Sequence, residues 1–176
     1  MNKETLNLSL VQLEDAALVL EFEQENRAFF EHWIASRGDA YYHLNAVTES
    51  LQSALTLAQA GREYHYLARF GDQLVGRLTL RSIEREHYHK ASIGYRFSQA
   101  HGGRGFATNA VKQLCQIAFD ELQLRRLEAQ VIIDNLPSRA IMQKCGFRQF
   151  GHAHSAVVRH QQWHDLLLFE LLNPAI

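Results

Sequence analysis

Three glycines, Gly102, Gly103 and Gly105, fall within four positions, and apolar residues at helical spacing begin directly behind them at Phe106. Ahead of them, Ile93-Gly94-Tyr95-Arg96-Phe97 reads as a strand. A strand that feeds a glycine loop into a helix start suits the holding of an anion, a phosphate above all. Glycines let the backbone come close to a charged group, and the first N–H groups of a helix have no partner inside it. The N–H groups from Gly102 to Ala107, with Thr108 behind them, form such a cradle. Arg104 either adds charge at the phosphates or is a solvated loop cation. Two other spacings suggest chemistry. His87-x-His89 and His152-x-His154 would each place two imidazoles on one side of a strand, which is a metal-ligand spacing and, more often, ordinary surface packing.

Other anion-binding schemes fit poorly. Gly103-x-Gly105 with Glu128 downstream mimics a dinucleotide fingerprint, but its third position is Thr108 and three antiparallel strands precede it. No Gly-Lys-Ser/Thr follows the glycines, which excludes a P-loop. The chain has 176 residues, 47% of them apolar, and a net charge of −1. That suits one domain spanning 1–176 and argues against a general nucleic-acid or membrane field. Cys115 and Cys145 are isolated, and no targeting pattern opens the chain, so a cytoplasmic protein is expected.

The elements that position the glycine turn follow from periodicity. Leu6, Leu8 and Leu10 alternate as a first strand, and Asp15 is placed to cap a helix over Ala16 to Ile34. Ser36 to Asp39 breaks it, and a second helix runs from Thr48 to near Gly61. Tyr64 to Phe70 and Leu74 to Ile83 alternate around Gly71-Asp72, a hairpin signature, and Tyr88 to Phe97 adds a strand. After the glycines a helix begins at Phe106. Leu127 to Ile133 then returns parallel to the strand before the loop. A short helix opens at Asn135-Leu136-Pro137-Ser138 and stops at Gly146. Phe147 onward alternates loosely, and Trp163 to Leu172 closes the chain. The order β-α-α-β-β-β-α-β-α-β-β implies an α/β fold with a mixed sheet and a ligand at the strand–loop–helix turn.

Gly103-Arg104-Gly105-Phe106-Ala107-Thr108-Asn109-Ala110, then Asn135-Leu136-Pro137-Ser138, then Lys144-Cys145-Gly146-Phe147 and the closing Trp163-His164-Asp165, resemble the GNAT acetyltransferases, and within them the RimJ/RimL branch that acetylates protein N-termini. The resemblance implies the GNAT fold: a mostly antiparallel mixed sheet with a splayed parallel pair at the CoA site and helices on both faces. It implies transfer of acetyl from acetyl-CoA to a primary amine in a ternary complex, with no metal. The acceptor it points to is the N-terminal alanine or serine of a protein, a ribosomal one among them. Small amines such as polyamines, amino acids or antibiotics are the alternative, and a non-catalytic CoA-binding module is a third reading. Dimers are frequent in the family, so a homodimer is one expected state.

The resemblance also distributes roles. The pyrophosphate falls to Gly102 through Thr108. The amide-rich pantetheine arm falls to the strand Ile93, Gly94, Tyr95, Arg96 and Phe97, one of whose N–H groups can also meet the developing oxyanion. Asn135 bonds the pantetheine arm, or else caps its helix. Ser138 is the candidate proton donor or water holder at the CoA sulfur, or else a first-turn cap. Glu84, Glu86 and Glu128 lie on or beside strands near the cleft, and Glu128 is the candidate base. Trp33, Tyr41 and Tyr42 either pack the core or line the acceptor mouth. Ala100 stands where the general GNAT loop begins with Gln or Arg, which removes one side-chain contact and leaves the backbone cradle.

Overall fold

The computed structural model describes residues 5–175. The chain runs β1 (Leu6–Leu10), α1 (Ala16–Glu25), α2 (Arg27–Trp33), α3 (Leu44–Gln59), β2 (Tyr64–Phe70), β3 (Gln73–Glu84), β4 (Lys90–Phe97), α4 (Phe106–Gln116), β5 (Arg126–Ile132), α5 (Leu136–Lys144), β6 (Arg148–Arg159) and β7 (Gln162–Leu172). The strands form one sheet in the order β1-β2-β3-β4-β5-β7-β6. Every neighbouring pair is antiparallel except β4 and β5. Those two are parallel because α4 carries the chain back along one face between them.

Both faces of the central strands are covered. On one face, Val111 and Leu114 of α4 and the following Ala118 bury against Ile93 of β4 and Leu127 and Val131 of β5. Their spacing along α4 gives one apolar stripe, so the helix lies flat on the sheet. On the other face, Val19, Phe22, Phe30, Val47 and Leu51 from α1 to α3 bury against Leu67 of β2 and Leu74 of β3. Among the described residues no helix is long and apolar enough to cross a membrane.

The architecture matches the sequence expectation, with local departures. The helix expected over Ala16 to Ile34 breaks at Asn26. Its side-chain amide shares the Phe22 carbonyl with its own N–H, at 2.9 and 3.2 Å, and α2 restarts on the Asn26 carbonyl. Asn is prone to such local competition with the helix ladder. Asp15 does not cap α1: its carboxylate accepts from the Gln12 N–H at 2.8 Å and from Arg69 at 2.6 Å. The second helix starts one turn before Thr48, whose hydroxyl donates back to the Leu44 carbonyl at 2.8 Å. His87 and His89 stand in the loop between β3 and β4, not on a strand. The loose alternation after Phe147 is a long strand, β6, interrupted by bulges at Gln149/Gly151 and Ala153/Val157.

Candidate functional site

β4 and β5 pair for only three positions, Lys90 with Arg126, Ala91 with Leu127 and Ser92 with Glu128. Beyond Ser92 they part, while β4 stays paired with β3 on its other side as far as Phe97. The Ser98 N–H donates to the Val75 carbonyl at 2.9 Å. Peptide groups alternate sides along an antiparallel pair, so Arg96 and Gly94 also turn toward β3, and Ile93, Tyr95 and Phe97 turn their N–H and C=O groups into the fork. An open strand edge of this kind is built to pair with an extended chain that carries amides. Gly76 helps hold the mouth of the fork. It lies across from Phe97, and a Cβ there would come within 2.3 Å of the Phe97 ring.

The glycine loop follows at the open end of β4. Gly103 and Gly105 have φ of 74° and 78°, in the left-handed region where a side chain is strained. A Cβ at either would meet no atom of the described residues within 4 Å, which leaves room for a ligand in front of the loop. The first hydrogen bond of α4 runs from the Asn109 N–H to the Gly105 carbonyl at 3.0 Å. The N–H groups of Phe106, Ala107 and Thr108 therefore precede the helix ladder and carry its positive end. Lys112 and Lys144 line the same groove with Gly105 and Thr108 and add two cations. Arg104 is exposed, with its guanidinium over the Phe70 and Phe106 rings at 5.3 and 4.7 Å.

Across the fork, α5 brings Ser138 to β4. The Ser138 Oγ is 2.8 Å from the Tyr95 hydroxyl, and the same hydroxyl donates to the Ser138 carbonyl at 3.3 Å. Burial pushes the Tyr95 phenol up to about 12, against a smaller opposing effect of the Ser138 bond, so it stays protonated through neutral pH. Asn135 caps α5: its side-chain oxygen accepts from the Ser138 N–H at 3.1 Å. That bond uses the amide oxygen and leaves the donor end of the side chain for a ligand. The Tyr95 hydroxyl was not singled out in the sequence. Strand alternation puts Ile93, Tyr95 and Phe97 on one face, but the contact of the hydroxyl with Ser138 is set by how α5 packs.

The acidic candidates are placed differently. Glu128 sits at the last paired position before the fork, with its oxygens 2.7 Å from Arg126 Nε and 3.3 Å from Lys90 Nζ. Its register partner is Ser92, so it shares that residue's face, opposite to the Tyr95–Ser138 pair. Glu84 lies at the closed end, opposite Lys90, where the His87 N–H donates to it and holds its carboxyl below the usual range. Glu86 is exposed in the loop that follows.

Tyr41 and Tyr42 meet edge to face, with ring centroids 5.4 Å apart, and Trp33 ends α2. Tyr42 is buried beneath the Arg27 guanidinium at 4.2 Å. Tyr41 is half-buried; its hydroxyl accepts from Arg77 at 3.3 Å and its ring lies under Arg37 at 4.4 Å. Trp33 meets Arg159 of the β6–β7 hairpin at 5.3 Å, and Arg159 also donates to the His32 carbonyl at 2.8 Å. Below them Glu23 is buried, with Arg77 on one oxygen and Arg96 at 3.1 Å on the other. Sequence reading missed this cluster. Glu23 follows Phe22 and lies four residues after Val19, which is a charged residue on the buried stripe of a helix. The His152 and His154 rings, far along the sheet on β6, both hydrogen-bond one Asp165 oxygen, at 2.7 and 3.0 Å.

A family model described as an acetyltransferase (GNAT) domain matches residues 5–148. The chain is 33% identical over 174 residues to a probable N-acetyltransferase, YjcK, of Bacillus subtilis (strain 168), covering 97% of this chain and 96% of that protein. Among solved structures it is similar to Mycobacterium smegmatis RimJ in complex with CoA-disulfide, with TM-score 0.91, 25% identity and coverage of 97% of this chain and 83% of the other. The fold is also that of the ribosomal-protein-S5-alanine acetyltransferase of Vibrio fischeri, with TM-score 0.93 at 20% identity over 99% and 96% of the two chains.

Proposed function

The chain belongs to the GNAT acetyltransferase family, and on that premise we propose that it places the acetyl group of acetyl-CoA on the N-terminal amine, alanine or serine, of a protein, by direct attack in a ternary complex. It is an acetyl-CoA-dependent N-acetyltransferase; the protein acceptor is the finer part of the reading. The observation that carries it is the fork: β4 and β5 part after Ser92 and leave the Ile93, Tyr95 and Phe97 peptide groups facing open space beside a helix start. The likeness to a ribosomal-protein-S5-alanine acetyltransferase and to RimJ supports a protein acceptor.

Acetyl-CoA supplies the activated acetyl thioester, a pyrophosphate and an amide-bearing arm. The protein's residues bind and orient these parts. The N–H groups at Gly103 to Thr108 meet the pyrophosphate, with Lys112 and Lys144 beside them. The β4 edge pairs with the arm, and one of its N–H groups donates to the thioester oxygen as charge grows there. The amine nitrogen attacks the carbonyl carbon, the C–S bond breaks, and the sulfur takes a proton. Ser138 gives that proton and is reprotonated from solvent, while the Tyr95 hydroxyl 2.8 Å away orients it. The proton that the amine releases passes to a base and on to solvent. Glu128, committed to Arg126 and Lys90, is the candidate base on the acceptor face.

The test is acetylation of a peptide panel and a small-amine panel, read by mass spectrometry. The reading expects N-terminal alanine and serine peptides to gain one acetyl group at the α-amine. Modification of small amines with none of the peptides would overturn the protein-acceptor reading.

A further inference from the structure

The charges around the acceptor mouth do not resemble the chain as a whole. The protein carries a net charge of −1. On the acceptor face, beside the Lys90–Glu128–Arg126 cluster, five further guanidinium groups (Arg27, Arg37, Arg77, Arg96 and Arg159) meet three carboxylates (Glu23, Glu31 and Asp39). Arg27 is matched by Glu31 at 2.9 Å and Asp39 at 2.6 Å on the outer side. Glu23 is shared between Arg77 and Arg96, so one charge of that trio is unmatched. Arg37, stacked on Tyr41, adds another. Burial pulls Arg96 down to about 10, which still leaves it charged at neutral pH.

Arg96 is the member that lies on β4 itself. It stands two residues from Gly94 on the same face of β4, where neighbouring side chains rise side by side. A Cβ at Gly94 would meet no atom of the described residues within 4 Å, so among them the space beside Arg96 is open. Its side chain is 21% exposed, and the Glu23 bond occupies one terminal nitrogen, which leaves donors for a ligand.

We infer that the acceptor carries a carboxylate close to the amine that is acetylated, and that Arg96, with Arg37 at the rim, holds it. This rests on the acetyl-transfer reading and narrows its substrate class. It also bears on the proton problem. A field of cations disfavours the ammonium form of the incoming amine, so part of the deprotonation is done by the arginines before any base acts. The same field works against polycationic amines.

The experiment compares the tripeptide amides Ala-Asp-Ala, Ala-Asn-Ala and Ala-Lys-Ala, with glutamate as a free small anion and spermidine as a polycation. The proposal expects kcat/KM for the Asp peptide to exceed that for the Lys peptide at least tenfold, mainly through KM, with the Asn peptide between them. Relative use of the Asp peptide and glutamate tells an acidic peptide from a small anionic amine. The advantage shrinks in Arg96→Gln and, independently of any effect on the buried trio, in the exposed Arg37→Gln. Equal use of the three peptides, or preference for the Lys peptide or spermidine, overturns the proposal. Binding of the peptides to CoA-saturated protein, read by calorimetry, separates the two levels. The same order of affinities without turnover supports the acidic acceptor and removes only the transfer reading. Equal affinities with turnover remove only the acidic acceptor.

Discussion

The Tyr95–Ser138 pair joins two elements that never meet in the sequence. Its 2.8 Å bond gives a specific expectation, because two hydroxyls acting as one unit lose their effect together. Ser138→Ala and Tyr95→Phe should each lower kcat by about 100-fold, the lower end of the range for a general acid, with little change in affinity for acetyl-CoA. The double variant should lose little more than either single one. Additive losses in steady-state kinetics would mean separate roles. Gly103 gives a second expectation. At φ 74°, valine is strained by roughly 1–2 kcal/mol and fills the space that the loop keeps open, so Gly103→Val should weaken acetyl-CoA binding while the circular dichroism spectrum stays the same. Unchanged affinity would remove the loop from the site. These residues were legible in different degrees. The glycines announce their backbone through residue type, and Ser138 came from a motif. The Tyr95 hydroxyl needed the packing of α5 on β4 before it meant anything.

At the scale of elements, the fork depends on which strands pair and how far. The parallel β4–β5 pair could be read from the helical crossover, and its splay was implied by the family resemblance. The place where it opens, after Ser92, is set by tertiary packing that no local pattern encodes. The β6–β7 hairpin was least legible. Its turn places His160 and Gln161 at φ 48° and 63°, a mirror-type turn without the glycine or asparagine that normally marks one. The Ala153/Val157 bulge, held where Asp165 accepts from the Ser155 N–H at 2.8 Å, breaks the alternation. The α1–α2 break is anchored in the same long-range way, through the Gln99 N–H on the Asn26 side chain at 3.2 Å. Beside that break lies Glu23, whose side chain is 1% exposed. Glu23→Gln leaves two guanidinium groups short of their carboxylate and should destabilise the fold by about 3–5 kcal/mol in urea unfolding. A loss below about 1 kcal/mol would show the trio to be well hydrated.

The whole molecule responds to alkaline pH through groups buried on the α4 face of the sheet. Burial pushes the Tyr66 and Tyr95 phenols up to about 12 from 10, and the Cys115 thiol up to about 12 from 9. The folded state thus keeps these protons after the unfolded chain has begun to lose them. Stability from these groups is complete below about pH 9 and is lost as pH climbs from 9 to 12. The melting temperature should be level from pH 7 to 9 and fall steadily above it, and a level curve to pH 11 would contradict the burial of all three. Acetyl-CoA binding depends instead on the fork and the glycine turn together. Calorimetric titration of acetyl-CoA into the purified protein, with ATP and NADH as controls, tests it most directly. Acetyl-CoA should bind saturably at one site per chain, and neither control with comparable strength. Failure of acetyl-CoA to bind, or equal binding of ATP, would contradict it.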